Sequence, residues 1–268
     1  MLTVHGPSLR PVVLGGSLLF APACTSQSFE LSREGVIGVE PGPRLSHDPP
    51  SGTAGRMAHH FADVLEIRQA VIAGDLASVR SPARRLVERT DPYPESWRPF
   101  VADNLRLAGS TLAARSLEDA ARAAAGLANN CGECHAAVGL GPDLVTAALP
   151  AVDVRDVSQT MLRHEWAAER MGDALVAHSD AAWRAGAEVL AVAPLLPAAL
   201  PTDVNHPAAF DALAARVHDL GAQAATIAAW SDRAALYGDL LATCASCHRG
   251  LVSGRSPYVA RSDRPGVE

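Results

Sequence analysis

Apolar positions recur at helical spacing along two long stretches of the chain. Met57, His60, Val64, Ile67 and Val71 stand three or four residues apart and share one helical face. Met161, His164, Ala168, Met171 and Leu175 form a matching face further on. Gly74 ends the first helix; Asp75 can cap a second, and Ser81-Pro82 offers another start. Asp91-Pro92-Tyr93-Pro94 reads as a turn, and a third helix is predicted from Ser96 to Leu107. Ser116-Leu117-Glu118-Asp119 resembles a capping box and opens a fourth helix, which Gly139-Leu140-Gly141-Pro142 ends. The second stretch repeats the scheme, with further helices predicted over 180–192, 207–222 and 231–249.

The two stretches read as an internal repeat. Met57 and Met161, like His60 and His164, are offset by 104 residues, whereas the motifs that close the stretches are 113 apart. The second stretch therefore carries about nine extra residues, which the Pro-rich segment 193–207 accommodates as a loop. Trp97 and Trp230, each preceding a closing motif, are a weaker echo.

Each stretch closes on one five-residue word, Cys131-Gly132-Glu133-Cys134-His135 and Cys244-Ala245-Ser246-Cys247-His248. Two thiols three positions apart can each form a thioether with one vinyl group of a single porphyrin, and the next residue places an imidazole beneath the iron. Two other chemistries use paired cysteines: a four-thiolate zinc site shared by both words, and a redox dithiol. Neither needs a histidine directly after both pairs, so haem attachment is the preferred reading.

On these two words the chain resembles the c-type cytochromes, specifically a dihaem one. The four-helix layout of each stretch, with its word near the end of the last helix, is similar to the cytochrome c′ and cytochrome c-556 type. The resemblance implies an all-α fold, a tandem pair of four-helix-bundle-like cytochrome domains, and two covalently bound haem c groups. It makes Cys131, Cys134, Cys244 and Cys247 the attachment residues and His135 and His248 the proximal iron ligands. Only twenty residues follow His248 and none is Met or His, so any sixth ligand of the second haem comes from upstream.

The distal ligand separates the functions. His60 and His164 are one pair of candidates, and Met57 and Met161 are the other; both pairs recur at the same offset on the same face. Two histidines per iron lower the potential, His with Met raises it, and an open, five-coordinate iron binds gases. His59 has Arg163 as its counterpart, and Met171, His178, His206 and His218 lack one, so these read as surface or structural residues.

Composition narrows the partners. Hydrophobic residues make up 48% of the 268 residues and aromatics only 4%, which suits Ala-rich helices around a real core. The net charge of −6 gives no nucleic-acid footprint. The basic residues are all Arg, so no ring of lysines is present for docking a redox partner. Residues 1–23 read as an export signal: Arg10, an apolar run from Pro11 to Phe20, and an Ala21-Pro22-Ala23 cleavage site. Cys24 then becomes the first residue, which resembles a bacterial lipoprotein with a membrane-anchoring lipid on that cysteine. Residues 24–55 read as a flexible tether, 56–150 and 151–252 as the two haem domains, and 253–268 as a loose tail.

The sequence thus predicts an exported dihaem cytochrome, periplasmic or membrane-anchored, that passes single electrons between redox protein partners. It is not expected to be an enzyme, since neither a paired-carboxylate motif nor a nucleophile elbow is found. The alternatives are a gas-binding protein like cytochrome c′, taking up NO or CO, and a dihaem peroxidase.

Overall fold

The computed structural model describes residues 52–90, 92–142, 147–150, 157–192 and 207–252. The predicted export signal, Cys24, the tether up to residue 51, the Pro-rich loop over 193–206 and the tail from 253 lie outside these residues. The described chain is all-helical. Its helices are α1 (Gly52–Ile72), α2 (Leu76–Glu88), α3 (Arg98–Leu112), α4 (Leu117–Val138), α5 (Val157–Ala177), α6 (Asp180–Val192), α7 (Pro207–Ala224) and α8 (Trp230–Val252). A short 3-10 turn, Glu95–Trp97, leads into α3.

Local chemistry sets the boundaries. The Asp75 carboxylate accepts hydrogen bonds from the Ala77 and Ser78 amides at 3.0 and 3.1 Å, so α2 begins there. Pro82 consequently lies inside α2 and starts no helix of its own. Ser116 caps α4 by accepting from the Asp119 amide at 3.0 Å. Gly139, at φ 67°, ends α4 in the left-handed conformation that suits glycine.

The repeat is visible in the helix bounds. Residues 76 and 88 of α2 map onto 180 and 192 of α6 by the 104-residue offset, and both helices have 13 residues. Leu117 of α4 maps onto Trp230 of α8 by the 113-residue offset. The nine extra residues therefore enter between the end of α6 and the start of α8.

Within the first half each helix packs on the next, and α4 returns to α1; α5 to α8 follow the same order. The halves are joined rather than beaded. The most extensive helix pair is α4 with α8, and α5 also packs on α4 and α1 on α8. One apolar core runs through both, including Ile67, Val71, Leu127, Met171, Leu175, Leu240 and Leu241. Burying each such side chain contributes about 1.5–3 kcal/mol. The α4/α8 pair is antiparallel: Gly238 lies against Arg122 and Ala125, while Gly132 lies against His178, whose ring stacks on Trp230.

At the centre, α1, α4, α5 and α8 enclose a cavity of about 10 Å³ lined by Val64, Arg68, Ala124, Gly172, Tyr237 and Leu241. The Arg68 guanidinium and the Tyr237 hydroxyl occupy the room that a side chain on Gly172 would take. Arg68 is nearly buried and pairs with Glu169 of α5 at 3.3 Å. Tyr237 donates to the Ala168 carbonyl at 2.9 Å, and burial pushes its phenol up to about 12.

Candidate cofactor-attachment sites

Both C-x-x-C-H words lie in the last turns of their helices, α4 and α8. On a helix the first and fourth residues of a word share a face, so each cysteine pair points the same way. All four thiols are half-buried and free. Burial pushes Cys131 up to about 11 and Cys244 up to about 12, and it raises Cys134 and Cys247 as well. At neutral pH they are thiols, not the low-pKa thiolates of a redox dithiol. Asn104 of α3 approaches the Cys131 sulfur at 3.9 Å.

The histidines that close the two words carry the clearest geometry. His135 Nδ1 lies 2.9 Å from the Val176 carbonyl at the end of α5. His248 Nδ1 lies 2.6 Å from the Ile72 carbonyl at the end of α1. A carbonyl only accepts, so Nδ1 holds the proton in both rings, and Nε2 is the nitrogen left with a lone pair for a metal. The two bonds are counterparts, since 176 − 72 is 104, the offset of the first helices. They are also crossed: each half supplies the carbonyl for the other half's imidazole. The residues present therefore fit two covalently held haems.

Antiparallel packing of α4 on α8 sets the words at opposite ends of that pair. Gly132 is level with Trp230, so His135 and His248 are separated by some twenty residues of helix, about 30 Å along the axis. The two cysteine pairs do not converge, which removes the shared zinc site. Among the described residues no group of three or more His, Cys, Asp or Glu side chains is arranged to hold a metal ion.

The distal candidates are placed less simply. His60 lies on α1 with Nε2 3.0 Å from the Tyr93 hydroxyl. Tyr93 neighbours Trp97, and Phe100 accepts from Asn130, so His60 sits at the end of the first half that carries Cys131. His164 lies on α5, its ring edge-on to His218 at 5.8 Å. His218 Nδ1 bonds the Leu190 carbonyl, and its Nε2 is buried without a hydrogen-bond partner. Met57 and Met161 are half-buried, one turn before the histidines.

His178, read from sequence as structural, lies against the first word. Its ring stacks on Trp230 at 4.5 Å with planes 3° apart, and its Nε2 is buried without a hydrogen-bond partner. Burial holds its imidazole below the ordinary value, hence neutral at pH 7. The repeat held a signal for it: His178 aligns with Gly74, a helix-ending glycine, where a histidine is unexpected.

No family model, curated protein or solved structure matches this chain. No described helix is long and apolar enough to cross a membrane.

Proposed function

We propose that the protein is an exported dihaem c-type cytochrome that carries single electrons, each haem held by one C-x-x-C-H word within a four-helix half. The observation that supports this most is the pair of crossed hydrogen bonds. Each proximal histidine is fixed through Nδ1 to a backbone carbonyl, with Nε2 left for iron. Bound there, haem supplies reversible one-electron iron chemistry. Cys131 with Cys134, and Cys244 with Cys247, anchor the porphyrin edges; His135 and His248 orient and ligate. The separation of the words gives each site its own end of the molecule, so each haem would exchange electrons with partners at its own surface. Arg side chains, in place of lysines, form any positive contact with a redox partner. A lipid on Cys24 would hold the carrier at a membrane.

Intact mass of the protein from a host that matures c-type haem tests this. Two haem masses are expected, and Cys131→Ala with Cys134→Ala should retain one. A mass equal to the polypeptide alone overturns the reading.

A second reading, gas binding at the first haem, is favoured by the Tyr93 bond to His60, which engages the nitrogen a distal ligand would use. The spectrum of the reduced protein with and without CO separates the two. An unchanged spectrum means both irons are six-coordinate, and a shifted one means an open site.

A further inference from the structure

Four residues in and around the first word map onto four in and around the second. His178 aligns with Gly74 by the 104-residue offset; Gly132 with Ala245, Trp230 with Leu117 and Arg233 with Ala120 align by the 113-residue offset. At the first word these residues form a column. Arg233 lies over the Trp230 ring at 4.2 Å, Trp230 stacks on His178, and His178 fills the space that Gly132 leaves. At the second word the same positions hold Ala120, Leu117, Gly74 and Ala245, with neither ring nor charge.

The two helix ends are otherwise built alike. The Asp75 amide donates to the Ala70 carbonyl at 2.9 Å, and the Ser179 amide donates to the Ala174 carbonyl at 3.1 Å. Gly74 at φ 75° and His178 at φ 48° both take the left-handed conformation. Glycine does so freely, whereas a histidine there is strained and must be held by its surroundings. The Trp230 stack and the seat over Gly132 hold it. Two residues before His178, Val176 offers the carbonyl that receives His135.

We propose that His178 is a positioning residue for the first haem: by locking the end of α5 onto α4, it fixes the Val176 carbonyl 2.9 Å from His135 Nδ1, against 2.6 Å between His248 and Ile72 at the second word, and so sets the two haem potentials apart. This rests on the haem reading above. A firm bond from Nδ1–H makes the imidazole a stronger donor and favours the oxidised iron. The longer bond at the first word leaves that haem with the higher potential of the two.

The test is a redox titration of the holoprotein and of its His178→Gly and Trp230→Leu variants, with the exchange rates of the two proximal Nδ1–H protons followed by NMR. Wild type should give two waves. His178→Gly, which copies Gly74 and relieves the backbone, should let the bond shorten towards that of the second word, move the higher wave downward and slow exchange of one proton only. Trp230→Leu should act in the same direction, and it reads the same contact should the first variant fail to fold. A single wild-type wave, two waves that move together, or an unchanged gap in the variants overturns the proposal. Fewer than two haems per wild-type chain, counted as the pyridine complex, would instead remove the haem reading and the inference with it.

Discussion

Gly132 shows how tightly one residue can be specified. The Leu175 carbonyl and the His178 ring stand where its Cβ would be, so Gly132→Ala must displace a helix end. We expect a loss of about 1–3 kcal/mol, as for overpacking, seen as a lower denaturant midpoint. Asp75 is specified by its cap. Asp75→Ala should cost about 1 kcal/mol in the same measurement. The Ser78 hydroxyl, donating to the Asp75 carboxylate, is the main cause that holds the Asp75 pKa below its ordinary 3.8. A depressed carboxylate stabilises the fold above its unfolded pKa and loses that contribution as pH falls through the folded value. The cost of Asp75→Ala should therefore shrink in acid, below about pH 4.

At the scale of elements, α1 and α2 are clamped by charge as well as by apolar contact. Buried Asp63 of α1 receives Arg85 of α2 at 2.6 Å and also Arg89, which follows α2. Asp63→Ala leaves both guanidinium groups, which reach solvent, without this partner and should destabilise by about 1–2 kcal/mol, measured by thermal unfolding. Much at this scale was legible beforehand. The caps at Asp75 and Ser116 and the breaks at Gly74 and Gly139 act on neighbouring residues, and local signals of that kind are written in sequence. α3 ends at Leu112, five residues beyond its predicted end, since Leu107, Ala108 and Thr111 bury against neighbours and extend it. The words themselves were legible as a recurrence, the same five-residue spacing standing twice at a 113-residue offset. The carbonyl partners of His135 and His248 were not, being backbone atoms 41 and 176 residues away. His60 and His164 could be found by recurrence, yet Tyr93 and His218, which they meet, do not recur.

For the whole molecule, the shared core has a thermodynamic consequence. Because α4 and α8 bury against each other, unfolding should be one cooperative transition, in which the calorimetric and van't Hoff enthalpies agree; two separable transitions would contradict it. The central charges add a pH dependence opposite to that of Asp75. Burial is the main cause that raises Glu169 above its ordinary 4.5, offset in part by Arg68, and burial likewise raises Asp173. A raised carboxyl contributes stability below its unfolded pKa and loses it as pH rises through the folded value. Glu169→Gln should therefore flatten the decline in melting temperature above pH 4.5. The relation between the halves was the least legible feature. Periodicity assigns each helix an apolar face but does not say whose, and the joined α4/α8 pair emerges only from packing.

The crossed histidine bonds also bear on the order in which the chain is made. The first C-x-x-C-H word is synthesised 41 residues before the carbonyl at Val176 that will steady its imidazole, whereas Ile72 exists 176 residues before its own imidazole arrives. A ribosome moving from one end to the other can complete neither site while only the first half exists. The earlier word must wait for the first helix of the second half, and the later word closes on α1, the earliest of the described helices.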